Sequence, residues 1–122
     1  MTETNFRDKL IQRTRIFSLD VMNFVDGVSR QDYSMRIIGH QVIRSATSIG
    51  ANITEAQASP SKKDFTNFLH HALKSANETK YWISLLLDSG KTNKEKAFFL
   101  LKEATEISNI LGASIVTLKS KK

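Results

Sequence analysis

The sequence predicts an all-α protein, an antiparallel up-down four-helix bundle, on three observations. Apolar residues recur at steps of three and four, the helical rhythm, and do not alternate as in strands. The only proline, Pro60, and the glycines at 27 and 90 fall between the periodic stretches, and turn-formers are sparse, with five Gly and one Pro in all. The four stretches are joined by short connections, which favours antiparallel neighbours crossing near +20°. At 122 residues the chain can bury roughly two thirds of its unfolded surface in one core, so a single domain spanning 1–122 is expected.

The first helix is expected at about 4–26, where Leu10, Thr14, Phe17, Val21, Phe24 and Val28 form one stripe. The second, about 34–58, carries Ile38, Val42, Ser45, Ile49, Asn52 and Ala56 in the same rhythm. Ser61 starts the third, about 62–88, as an N-cap with Asp64 three residues on, an acidic variant of the capping box. Its stripe is Phe65, Leu69, Ala72, Ala76, Thr79, Ile83 and Leu86. The fourth, about 94–118, follows a second cap, Asn93, and presents Leu101, Ala104, Ser108, Leu111, Ile115 and Leu118. Its tail, LKSKK, suits the negative end of the helix dipole.

The first and fourth helices hold more apolar surface than one seam needs. Ile11, Ile16, Leu19 and Met22 lie beside the main stripe of the first. In the fourth, Phe98, Phe99, Leu100 and Leu101 cover the circumference, and Leu100, Ile107 and Ile110 make a second stripe. Self-association through Ile16, Leu19, Phe99, Leu100, Ile107 and Ile110 is the expectation, with a wide core stripe as the alternative.

Composition removes several classes of function. Hydrophobic residues at 40% and charged residues at 25% are the balance of a soluble globular chain. MTETNFRDKL lacks the apolar stretch of a secretory signal, and the most apolar windows, WISLLL and AFFLL, are far too short to span a bilayer. A cytoplasmic protein with no membrane partner is expected. Without cysteine there is no disulfide framework, thiolate nucleophile or cysteine-bound zinc. Eighteen Lys+Arg against twelve Asp+Glu give a net charge of +6, which attracts polyanions such as nucleic acid or acidic protein surfaces.

A turn near 58–61 folds the second helix onto the third, so facing residues have numbers summing to about 122 or 123. Arg44 then lies level with Glu78, and Ser48 with Ser75. An arginine and a glutamate across a seam form a charge-assisted pair that fixes which helix faces which, and Asn52 on the apolar stripe can specify register. Arg44, Ser48, Asn52, Glu55, Ser75 and Glu78 therefore read as a structural polar lock.

No catalytic or metal-binding constellation emerges, and no cofactor is implied. A di-metal bundle needs four carboxylates and Glu-x-x-His on two helices, and the chain has no Glu-x-x-His. His70 and His71 are adjacent and point in different directions, and His40 has no carboxylate to orient it. Gly-x-Ser-x-Gly and Gly-rich phosphate loops are missing. Basic residues are the better candidates for function. Arg36, His40 and Arg44 are four apart on one face, Lys62 and Lys63 sit at the turn, Lys74 and Lys80 lie further along, and Arg7, Arg13 and Arg15 add charge to the first helix. Arg13, Arg36, His40, Lys62, Lys63 and Lys74 are the candidate phosphate contacts, with a solvated face as the alternative, and Tyr33, Tyr81 and Trp82 could stack bases.

RSATSIGANITEA, then SKKDFTNFLHHALKSANETKYWISLL, resembles the four-helix-bundle family of proteins encoded in intervening sequences of bacterial 23S rRNA genes, also labelled S23 ribosomal protein. Its pattern falls on Arg44, Ser48-Ile49, Asn52-Ile53, Glu55, Asp64-Phe65, Ser75 and Glu78, with Thr54-Glu55-Ala56 in place of the usual Ala-Glu-Gly. The resemblance implies a small, basic, non-enzymatic bundle that assembles as a homo-oligomer, commonly a ring of five. A related branch resembles the accessory variability determinant of diversity-generating retroelements, a basic pentamer that binds nucleic acid and a reverse transcriptase. The expected partners are therefore further copies of the chain, RNA or DNA, and a nucleic-acid-processing protein, with a role as a ribonucleoprotein scaffold. A protein-interaction module without nucleic-acid binding is the alternative reading, and an enzyme with an unrecognised site is a third.

Overall fold

The structure, a computed structural model, describes residues 3–121, with side chains from residue 5 onward. Met1, Thr2 and Lys122, at the ends of the expected domain, lie outside the described residues. The chain forms α1 (Glu3–Asp26), α2 (Tyr33–Ala56), α3 (Lys62–Asp88) and α4 (Lys94–Ser120), and no strand occurs among the described residues. α2 packs along α3 and α3 along α4, and α1 closes the bundle against α2 and α4. No described helix is long and apolar enough to cross a membrane.

Local chemistry sets the helix ends. Ser61 caps α3, its hydroxyl accepting from the Asp64 N–H at 3.1 Å, one of the N–H groups that a helix start leaves unpaired, and donating to the Asp64 carboxylate at 2.9 Å, which holds the cap in place. Asn93 caps α4 by accepting from the Lys96 N–H at 2.9 Å. α2 stops at Ala56, two residues before the expected end, where the Ser59 hydroxyl takes the Ala56 carbonyl at 2.6 Å ahead of Pro60.

The core is apolar and continuous. Phe17 and Val21 of α1, Val42, Ile49 and Ile53 of α2, Ile83 and Leu86 of α3, and Ile107 and Leu111 of α4 are all sealed from solvent. Burying each such side chain contributes about 1.5–3 kcal/mol. Two stripes are shifted from the expected ones. In α2 the seam runs through Ile53, and Asn52 beside it is half-buried. In α4 Leu100 (2% exposed) and Ile107 (fully buried) belong to the core, which corrects their expected place at an intermolecular surface, and Ile110 is half-buried against that core. Following 97, 100, 104, 107 and 111, helical geometry keeps these positions on one face, so the broad apolar surface of α4 is partly a wide core stripe.

α1 approaches α2 across two glycines. A Cβ on Gly39 would stand 3.2 Å from Val25, and one on Gly50 3.3 Å from the Thr14 hydroxyl. Both pairs have numbers summing to 64, so the two helices run antiparallel in one register. Thr14 is buried and satisfies its own hydroxyl on the Leu10 and Ile11 carbonyls, at 3.1 and 3.0 Å.

Candidate nucleic-acid interface

The α2–α3 seam brings most of the expected lock together. Arg44 reaches Glu78, its Nε donates to Gln41 at 2.9 Å, and the Trp82 indole N–H donates to the same Glu78 oxygen at 2.9 Å. Ser48 and Ser75 hydroxyls are hydrogen-bonded at 3.0 Å, and Asn52 Nδ2 donates to the Ser48 carbonyl at 2.8 Å and to its hydroxyl at 3.0 Å. Glu55 does not join: it is exposed, its side chain makes no hydrogen bond or ion pair among the described residues, and it stands level with Phe68, whose side chain offers no donor. A pair that the stripes did not reveal lies deeper, where the Thr79 and Ser45 hydroxyls meet at 2.9 Å, both fully buried. Among the described residues no buried side-chain nitrogen or oxygen lacks a partner.

The candidate phosphate contacts separate into three groups. Arg13 is engaged elsewhere: Nε and Nη2 donate to Glu103 at 2.7 and 2.8 Å, and Nη2 also reaches Glu106. Those hydrogen bonds, chiefly to Glu103, raise the Arg13 pKa against the opposing pull of burial. A cation facing two carboxylates offers little to a phosphate, so Arg13 reads as a clasp between α1 and α4. Glu103 and Glu106 were signalled only by being one helical turn apart. Arg36 and His40 form the second group, exposed one turn apart on α2, with the Arg36 guanidinium 5.3 Å from the Tyr33 ring centre and donating to the Arg30 carbonyl at 3.1 Å. Lys62, Lys63 and Lys74, the third, are exposed on α3. Lys62 Nζ donates to the Lys121 carbonyl, so the start of α3 meets the end of α4. Lys80, half-buried, donates to Ser108 at 3.1 Å.

Ile16, Leu19 and Phe99 keep an exposed position, at 56%, 48% and 59%. With Met22 of α1, Tyr33 and Ile37 of α2, Tyr81 and Leu85 of α3, and Phe98 of α4, they make up the large apolar side chains exposed among the described residues, Phe6 and Val116 aside. All nine lie in the C-terminal half of α1 or α3 or the N-terminal half of α2 or α4. Up-down connectivity gathers those halves at one end of the bundle.

No cluster of three or more His, Asp or Glu suited to a metal ion occurs among the described residues. The model of the family described as 23S rRNA-intervening sequence protein matches residues 8–113. The chain belongs to this family. A crystal structure of a protein with unknown function from the S23 ribosomal protein family of Bacteroides thetaiotaomicron is similar to it, at 33% identity and a TM-score of 0.79, over 87% of this chain and 97% of that one. No curated protein matches. Within this chain the matched segment holds the whole Gln41–Arg44–Glu78–Trp82 cluster and ends before Lys119 and Lys121.

Proposed function

We propose that this protein is a non-enzymatic homo-oligomeric bundle that binds RNA or DNA through basic surfaces and acts as a scaffold in a ribonucleoprotein. The observation that carries the reading is the supply of exposed cations without a carboxylate partner. Arg36, Lys62, Lys63 and Lys74 are exposed and form no ion pair among the described residues, in a chain of net charge +6. The exposed Ile16, Leu19 and Phe99 support self-association, and the family description, a protein of 23S rRNA intervening sequences, agrees with an RNA context. Retention of labelled RNA, followed as salt is raised, tests it, since neutralised phosphates make affinity fall steeply with salt. Binding that is absent at low salt would leave the second reading, a protein-interaction module, which the exposed apolar end favours.

A further inference from the structure

The bundle is polarised along its axis. Described side chains of 5–12, 45–75 and 108–121, at the end opposite the apolar one, include seven Lys+Arg and three Asp+Glu, a net +4. The apolar end, 13–44 and 76–107, in which Arg13 is counted with its partners Glu103 and Glu106, has ten Lys+Arg and eight Asp+Glu, a net +2. Two thirds of the excess charge of the described side chains thus sits at one end. Lys62 and Lys63 open α3 there, Lys119 closes α4 in its last turn, and the Lys62–Lys121 hydrogen bond holds the two segments together.

From this we infer that the basic end, centred on Lys62, Lys63, Lys119 and Lys121, is a binding site for the phosphate backbone of a double-stranded nucleic acid, read without sequence. The inference rests on the nucleic-acid reading above and locates it. A duplex carries one charge per about 1.7 Å, the densest target for clustered point charges. Single strands are held largely by stacking on aromatic faces, and four of the five exposed aromatic side chains among the described residues, Tyr33, Tyr81, Phe98 and Phe99, are at the opposite end, while at the basic end Phe6 alone is exposed and Phe65 and Phe68 are half-buried against the core. An anionic membrane would be gripped by cations beside exposed apolar side chains, and here the two are segregated, with Phe6 and Val116 the large exposed exceptions.

The test is fluorescence anisotropy of the full chain with labelled 20-base-pair RNA and DNA duplexes, the corresponding single strands, and phosphatidylglycerol vesicles in competition. The variant Lys62→Gln/Lys63→Gln/Lys119→Gln/Lys121→Gln should lose more than about tenfold in duplex affinity at low salt and about one unit of salt slope per phosphate contact removed. Its helicity, checked by circular dichroism, should be unchanged. Arg36→Gln/His40→Gln and Tyr33→Ala/Tyr81→Ala should bind duplex as the parent does. If only the Arg36/His40 variant loses affinity, the site is on the α2 flank and this inference is overturned while the nucleic-acid reading survives. Tighter binding of single strands that vanishes in the tyrosine variant overturns it too, as does equal competition by vesicles. A parent protein that binds neither duplex nor single strand at low salt overturns both.

Discussion

Glu78 serves two donors, Arg44 and the Trp82 indole, whereas Arg44 has Gln41 as a second acceptor. The Arg44–Glu78 pair is half in solvent, with side-chain exposures of 50% and 32%, so screening limits it to at most about 1 kcal/mol, well below a buried pair. Glu78→Met should therefore destabilise more than Arg44→Met, because it also strands the indole N–H, and the double-mutant cycle should give a coupling of about 0.5–1 kcal/mol in urea unfolding. Zero coupling would show that the pair adds nothing in solution. The buried hydroxyls should matter more than the ions. Thr79→Val leaves Ser45 with only the Val42 carbonyl, at a long 3.4 Å, inside the core, and an unsatisfied buried group costs about 1–3 kcal/mol. If Thr79→Val proves milder than Arg44→Met, the seam is held by charge, contrary to the burial seen here.

For the helices, periodicity and caps carried most of the information. The antiparallel α2–α3 register was legible because Pro60 fixes the turn, and once 44 faces 78 the Ser48–Ser75 contact follows from helical pitch. Asn52 was misplaced by a single position, since a 3.6-residue period lets either 52 or 53 continue the line from Ile49. Leu100 and Ile107 were read as surface because four consecutive apolar residues, 98–101, hide which of them turn inward until a neighbouring helix is placed. Nothing in α1 alone could signal that Gly39 and Gly50 form its docking face. Two predictions belong at this scale. Leu100→Glu or Ile107→Glu should lose helicity together with any assembly, measured by circular dichroism alongside mass, as a charge has no partner in that core. Dissociation with full helicity would return these residues to an interface. Gly50→Leu should destabilise by about 1–3 kcal/mol, since the added side chain must displace α1 at Thr14, whereas Gly50→Ala gains about 1 kcal/mol of helix propensity against a mild clash. Equal stability of Gly50→Leu and the parent would mean that α1 rides loosely on α2.

Across the whole molecule, the Arg13–Glu103 clasp orients the surface on which assembly would depend. From Arg13, Ile16 lies one turn on in α1; from Glu103, Phe99 lies one turn back in α4, and because α1 and α4 run antiparallel these steps lead the same way. Ile16 and Phe99 therefore sit on one side of the clasp, at the less charged end, where copies approach with less repulsion than at the +4 end. Tyr33, Ile37, Tyr81 and Leu85 lie on the α2–α3 side of that same end. Two different apolar surfaces on one chain cannot both be covered in a single two-fold dimer that uses one patch twice; they call for head-to-tail contacts, which close into a ring when the rotation permits. The expected outcome is a defined oligomer at micromolar concentration in light scattering or native mass measurement. Ile16→Glu/Phe99→Glu should reduce the mass to that of the single 13.8 kDa chain with helicity retained, because both side chains are more than half exposed within the bundle. Ile37→Glu/Leu85→Glu should do the same, and an equimolar mixture of the two variants should yield heterodimers, since each keeps the surface that the other has lost. A parent that is monomeric rules out assembly under these conditions, and a mixture that stays monomeric while each variant alone dissociates would show that the contact joins like surfaces.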